Sequence, residues 1–156
     1  MKIINKFLKE NRSFEKKDSV KAIVFCPEKR ILILRRQEGE GGAGNWDIPG
    51  GAIEKGENQT DALKREVFEE TNLKIKDISK VKSVTLKIPE CGVNSEMNIY
   101  QCKTESIDVQ LKPATWTGSG GKAEHNEFAW IKNKIDLVNR PMISELKKIL
   151  MSELHD

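Results

Sequence analysis

The chain has 156 residues, 37% of them hydrophobic and 33% charged, enough for a single domain over residues 1–156 with a proper core. Its 27 basic and 24 acidic residues leave a formal net charge of +3, too balanced for bulk nucleic-acid binding, and no arginine-rich run appears. No apolar stretch approaches the ~18 residues of a membrane span and the N-terminus lacks a signal peptide's apolar core, so the expectation is a cytoplasmic protein without a membrane partner. Cys26, Cys91 and Cys102 are odd in number and lack CxxC spacing, which fits reduced thiols.

In chain order, Ile3, Ile4, Phe7 and Leu8 fall at helical spacing among lysines. Residues 1–17 therefore read as an amphipathic extension packing on the domain, with fraying, a dimer contact or a membrane-surface role as alternatives. Ser19 to Cys26 and Ile31 to Arg36 are strand-like runs on either side of Pro27–Arg30, the pattern of a hairpin. Arg35 and Arg36 close the second run, and pleat alternation lets only one of them face a given side. Gln37 to Gly44 is a glycine-rich loop, after which Asn45 to Gly51 reads NWDIPGG. Its two glycines allow close backbone approach and Pro49 stiffens the entry. Trp46 is read as core packing.

The stretch from Gly51 to Leu73, GAIEKGENQTDALKREVFEETNL, predicts a turn followed by a helix loaded with carboxylates. Glu66, Glu69 and Glu70 are spaced i, i+3, i+4 and project from one helix face, and Glu57 adds an oxygen donor from the preceding loop. Asn58 suits the N-cap, with Asp61 in the first turn, and Leu63 and Val67 form an apolar stripe for the sheet. An exposed acidic face is common and costs little. In a cleft, however, two carboxylates about 5 Å apart at an effective dielectric of about 20 repel by roughly 3 kcal/mol, which a divalent cation relieves. Hard cations such as Mg²⁺ want several such oxygens.

The spacing of Gly51, Glu57, Arg65, Glu66, Val67, Glu69, Glu70 and Leu73 closely resembles the Nudix box, Gx5Ex7REUxEExGU with U aliphatic. One fixed position departs: the last glycine is Asn72, a residue that tolerates left-handed backbone. The resemblance implies an α/β fold, an α/β/α sandwich around a mixed sheet. It also implies hydrolysis of a diphosphate linkage in a nucleoside diphosphate joined to another moiety, with Mg²⁺ (or Mn²⁺) as cofactor. The implied metal ligands are Glu57, Glu66, Glu69, Glu70 and a backbone carbonyl at Gly50 or Gly51. Arg65 is assigned to orienting Glu57 or a neighbouring carboxylate. A nucleotide partner makes Arg35 or Arg36 a substrate contact, against the alternative of a solvated strand end.

Further along, Lys74 to Pro89 reads as one or two strands, Met97 to Cys102 as another and Val109 to Leu111 as a short edge strand. Thr115 to Lys122 is a glycine-rich loop, a surface connection or a lid over substrate. It leads to Glu124-His-Asn-Glu-Phe-Ala-Trp-Ile131, similar to the family's late strand. The resemblance implies a further catalytic or metal-binding glutamate there, with Glu124 ahead of Glu127, while His125 is as much a loop residue as a base. The general base is thus Glu69, Glu70 or Glu124. Pro141 precedes a closing helix from Met142 to about Leu154. Asn139 with Pro141 resembles the MutT-like arrangement in which the asparagine reads a purine, and helix capping is the equal alternative. Together these favour a (d)NTP as substrate. Pro89 to Glu96 loosely resembles a segment of ADP-ribose pyrophosphatases, which keeps ADP-ribose as the alternative, and a dinucleoside polyphosphate, a nucleotide sugar or a capped RNA end stays open beside it. A non-catalytic nucleotide-binding module is the reading from another class. A monomer and a homodimer are both compatible with the sequence.

Overall fold

The computed structural model describes residues 17–37, 44–88, 93–112 and 125–156, without the side chains of Ile88 and Val93. The expectations for residues 1–16, Cys91, the 115–122 loop and Glu124 lie outside the described residues, as does the start of the 89–96 segment.

The strands are β1 (Ser19–Phe25), β2 (Ile31–Arg36), β3 (Trp46–Asp47), β4 (Gly50–Ala52), β5 (Ile75–Ile88), β6 (Val93–Thr104) and β7 (His125–Ile131). The helices are α1 (Gln59–Thr71), α2 (Ile135–Val138) and α3 (Ser144–Glu153). The path through the sheet runs β3-β2-β1-β6-β5, with β4 also on β1 and β7 also on β2. β1 and β6 are parallel over Ser19↔Met97 to Phe25↔Lys103, and the other pairs are antiparallel. The sheet is therefore mixed.

The hairpin read from Ser19 to Arg36 forms only at its base. β1 and β2 meet at Phe25↔Ile31 and then part, β1 taking β4 and β6 while β2 takes β3 and β7. Ile31-Leu-Ile-Leu34 is fully buried, and so are Val20, Ala22, Ile23 and Val24. Runs that are apolar on both faces need cover on both, so these strands become the centre of the sheet.

That cover divides by residue parity into two cores. Val20, Ala22, Val24, Leu32 and Leu34 pack with Ala62, Leu63 and Val67 of α1. Ile23, Ile31 and Ile33 pack on the other side with Leu137 of α2 and Leu146 and Leu150 of α3. The result is the expected α/β/α sandwich. Leu63 and Val67 anchor α1, as their apolar stripe predicts. Cys26 and Cys102 are free and buried, and burial pushes the Cys102 thiol up to about 12.

Within the Lys74–Pro89 stretch, read as one or two strands, a single 14-residue strand forms, Ile75–Ile88, kept continuous through irregularities at Lys76/Ser79 and Lys80/Lys82, with Asp77 at φ 53. Bulges let a strand absorb residues that break its alternation. Val109–Leu111 is not a strand: Gln110 N–H donates to Thr71 O at 3.0 Å while Val109 and Leu111 lean on the α1-side core. Two apolar side chains and one helix-end carbonyl hold this segment without a ladder. The closing helix starts at Ser144, after Ile143 in extended backbone (φ -52, ψ 130), and the Pro141 carbonyl ahead of it accepts from Trp46 N–H at 2.7 Å.

Candidate active site

α1 begins and ends where its side chains dictate. Asn58 Oδ1 accepts from Asp61 N–H at 2.8 Å, satisfying a free donor of the first turn. Asn72 ends the helix in left-handed conformation, φ 63 and ψ 14, with its N–H on Phe68 O at 2.8 Å. Asparagine thus does the work of the missing glycine.

The turn before α1 sets the carboxylates in place. Gly50 has φ 155, and a Cβ there would stand 2.0 Å from Val20 O. At Gly51 a Cβ would fall 2.5 Å from the Glu66 carboxyl carbon. Gly50 requires glycine for β4 to lie against β1, whereas glycine at 51 leaves the Glu66 carboxyl its place. Gly50 N–H then donates to Glu70 Oε1 at 2.9 Å. Asp47 braces the turn from behind: its Oδ2 accepts from Lys21 Nζ at 2.7 Å and Arg36 at 3.3 Å, and its Oδ1 from Ile48 N–H at 2.8 Å. Burial works to raise the Asp47 carboxyl, but Lys21, Ile48 and Arg36 together hold it below its ordinary value. The sequence reading missed this brace; an acid between Trp46 and Pro49 carried no signal of its partner 26 residues back.

Arg65 sits among the carboxylates. Its Nε and Nη2 donate to the two oxygens of Glu57 at 2.8 and 2.9 Å, and Nη2 also reaches Ala52 O at 3.1 Å. Its Nη1 donates to Glu66 at 3.0 Å and Glu69 at 3.3 Å. This is the fork expected of a guanidinium that orients acids. Hydrogen bonding to Arg65 holds Glu57 below its ordinary value and raises Arg65 in turn. Glu66 moves the opposite way. Burial, with Glu70 as the next contribution, pushes it to about 7, Arg65 only partly offsetting them.

Glu70 is buried, and on its far side lies His125, itself buried, with Nδ1 3.0 Å from Glu70 Oε2. His125 is the first residue of β7, and it reaches α1 through a bulge. Arg35 opposes Glu127, but Arg36 opposes His125, leaving Asn126 as the extra residue. Arg36 shares the α1 side with Leu32 and Leu34, so the bulge turns His125 to that side while Glu127 stays on the other with Arg35, 3.6 Å away. Arg35 and Arg36 therefore separate, Arg35 toward Glu127 and Arg36 toward Asp47. Glu127, the second choice for the late glutamate, is exposed and faces away from the α1 carboxylates.

Asn139 ends α2, exposed, with its backbone N–H on Leu137 O in the cap. The next residue, Arg140, stacks 4.8 Å over the Trp46 ring, and Trp46 leans on the α3-side core. The Asn139–Pro141 run is thereby tied to the strand that pairs with Arg35.

The carboxylates of this face have the chemistry a divalent cation takes: Glu66, whose charge burial disfavours, and a buried Glu70 oxygen with no hydrogen-bond donor among the described residues. As the side chains stand, no three acidic, cysteine or histidine groups among the described residues converge at ligating distances. The Glu57, Glu66 and Glu69 oxygens are turned to Arg65, and the guanidinium is their counter-ion in this arrangement.

A family model, the NUDIX domain, matches residues 15–134. The chain belongs to the NUDIX family. A MutT-like protein of Streptomyces ambofaciens is 35% identical over 57 residues, 36% of this chain and 34% of that protein. An RNA pyrophosphohydrolase of Bartonella tribocorum is 28% identical over 112 residues, 64% of this chain and 61% of that protein. The chain thus spans about a third and three fifths of these curated relatives. Among solved structures, the MutT protein of Methanosarcina mazei Go1 superposes with a TM-score of 0.68 at 25% identity, covering 90% of this chain and 96% of that one.

Proposed function

We propose that this NUDIX protein is a divalent-metal-dependent pyrophosphohydrolase that cleaves the diphosphate linkage of a nucleoside diphosphate joined to another moiety, with a (d)NTP as the substrate. The observation that carries the reading is one face of α1 tied to the Gly50–Gly51 turn: Arg65 Nη1 donates to both Glu66 and Glu69, and Gly50 N–H donates to Glu70. Glu66, Glu69, Glu70 and the Gly51 carbonyl would hold Mg²⁺ or Mn²⁺. Glu57, both oxygens on Arg65, instead anchors the guanidinium. A bound cation supplies charge neutralisation on the phosphate oxygens and leaving group and lowers the pKa of an attacking water.

The chain's own residues do the rest. Gly50 N–H fixes Glu70, and Arg65 gathers Glu66 and Glu69 and keeps them from splaying. Glu69 is the half-exposed member of the face, its carboxyl open to solvent, and we assign it as the base that accepts the proton of the water. Glu124 stays the alternative base. Arg35, Arg36 and Asn139 are the proposed nucleotide contacts. Likeness to the MutT-like relative supports the (d)NTP choice. The Bartonella relative favours a second reading, the same chemistry on an RNA 5′ end.

The test is Mg²⁺-dependent turnover over a panel of (d)NTPs including 8-oxo-dGTP, triphosphorylated RNA, ADP-ribose, nucleotide sugars and dinucleoside polyphosphates, with products identified. A monophosphate and pyrophosphate from one (d)NTP is the expected result. Preference for RNA or ADP-ribose overturns the substrate choice, and tight binding without turnover of anything makes the chain a binding module.

A further inference from the structure

Glu70 is the most deeply placed carboxylate of the face, and its two oxygens have different surroundings. Oε1 is fixed by Gly50 N–H at 2.9 Å. Among the described residues Oε2 is buried without a hydrogen-bond donor, yet His125 Nδ1 stands 3.0 Å away, off the line a hydrogen bond needs. The other ring nitrogen, Nε2, is also buried and has no hydrogen-bond partner among the described residues. Two buried polar groups in contact, each with an unsatisfied atom, are costly, and a small rotation of the imidazole satisfies the Glu70 oxygen. The bulge at Asn126 brings His125 to this side of the sheet.

We propose that His125 is a positioning residue that acts through Glu70: its Nδ1–H directs Oε2, so that Glu70 presents a fixed oxygen to the divalent cation. This rests on the metal-site reading given above. A free carboxylate on a helix samples several rotamers, and one held at both oxygens does not, so the holding group is felt as cation affinity. The tautomer follows from the contact. Nδ1 carries the proton toward the carboxylate, and Nε2 is left as a buried acceptor.

Asparagine and glutamine separate this role from simple packing. In His125→Asn the side-chain amide can place a donor where Nδ1 stands, whereas in His125→Gln it lies near Nε2. Mn²⁺ binding to the full chain, measured calorimetrically without nucleotide, is expected to weaken about 10-fold in His125→Gln and to stay within about threefold of the parent in His125→Asn. In a Glu70→Gln background, His125→Gln is expected to have no further effect. Equal losses in both variants, no loss in either, or additivity with Glu70→Gln would overturn the proposal. A readout without metal is the long-range ¹⁵N–¹H spectrum of the imidazole: a proton on Nδ1 is expected, and a ring protonated on Nε2 alone contradicts the role even if the wild type binds no Mn²⁺. Because neither readout uses substrate, a wrong substrate choice leaves both intact, and loss of Mn²⁺ binding in the wild type points to the metal-site reading itself.

Discussion

Glu66 shows how a single residue reports on the site. Its carboxyl is raised from the ordinary 4.5 to about 7, first by burial and then by Glu70. In the unfolded chain it loses its proton near 4.5, so between that value and 7 the folded state holds more protons than the unfolded one. Stability from this group is then full below about 4.5 and falls as pH rises through 7, by on the order of 2–3 kcal/mol at most. Thermal unfolding from pH 4.5 to 8 in chelator should show this loss. Glu66→Gln should flatten it, and saturating Mg²⁺ should remove much of it by favouring the charged carboxylate. A chelated wild type whose pH dependence equals that of Glu66→Gln would contradict the assignment. The carboxylates themselves were legible in the sequence because i, i+3, i+4 spacing fixes a helix face regardless of tertiary context. Asp47 was not, because its meaning lies in Lys21 and Arg36, which only the sheet brings to it.

At the scale of elements, α1 is the part the sequence specified most fully. Its cap, its apolar stripe and its left-handed end all rest on local rules that the fold leaves in force. Asn72 provides the check. Replacing it with Ala puts a poorly tolerant residue at φ 63, whereas Gly suits that conformation. Denaturant midpoints should show Asn72→Ala less stable by about 1 kcal/mol and Asn72→Gly equal to or above the parent. If the two substitutions cost the same, the left-handed cap is not what Asn72 supplies. Elements that depend on partners were less legible. The β1–β2 hairpin opened because both strands are apolar on both faces and each needs two neighbours. His125 hid behind a bulge, since strict alternation from Glu127 puts it on the wrong side. The 109–111 run lost its strand to a helix-end carbonyl.

For the whole molecule, the two cores on opposite faces of one mixed sheet explain why the acidic helix stays where it is. α1 is fixed by Ala62, Leu63 and Val67 on one face, while α2 and α3 close the other. Glu69, the half-exposed member of the charged face, is therefore free to serve chemistry with little part in the packing. Substitution at Glu69 should separate function from stability. The most direct measurement is steady-state turnover of the preferred (d)NTP by wild type and Glu69→Gln at saturating Mg²⁺, with thermal stability recorded for both. The account predicts that kcat falls about 10²- to 10⁴-fold while the midpoint of unfolding stays near that of the parent. Unchanged turnover in a folded Glu69→Gln protein would contradict the assignment of this face as the catalytic one.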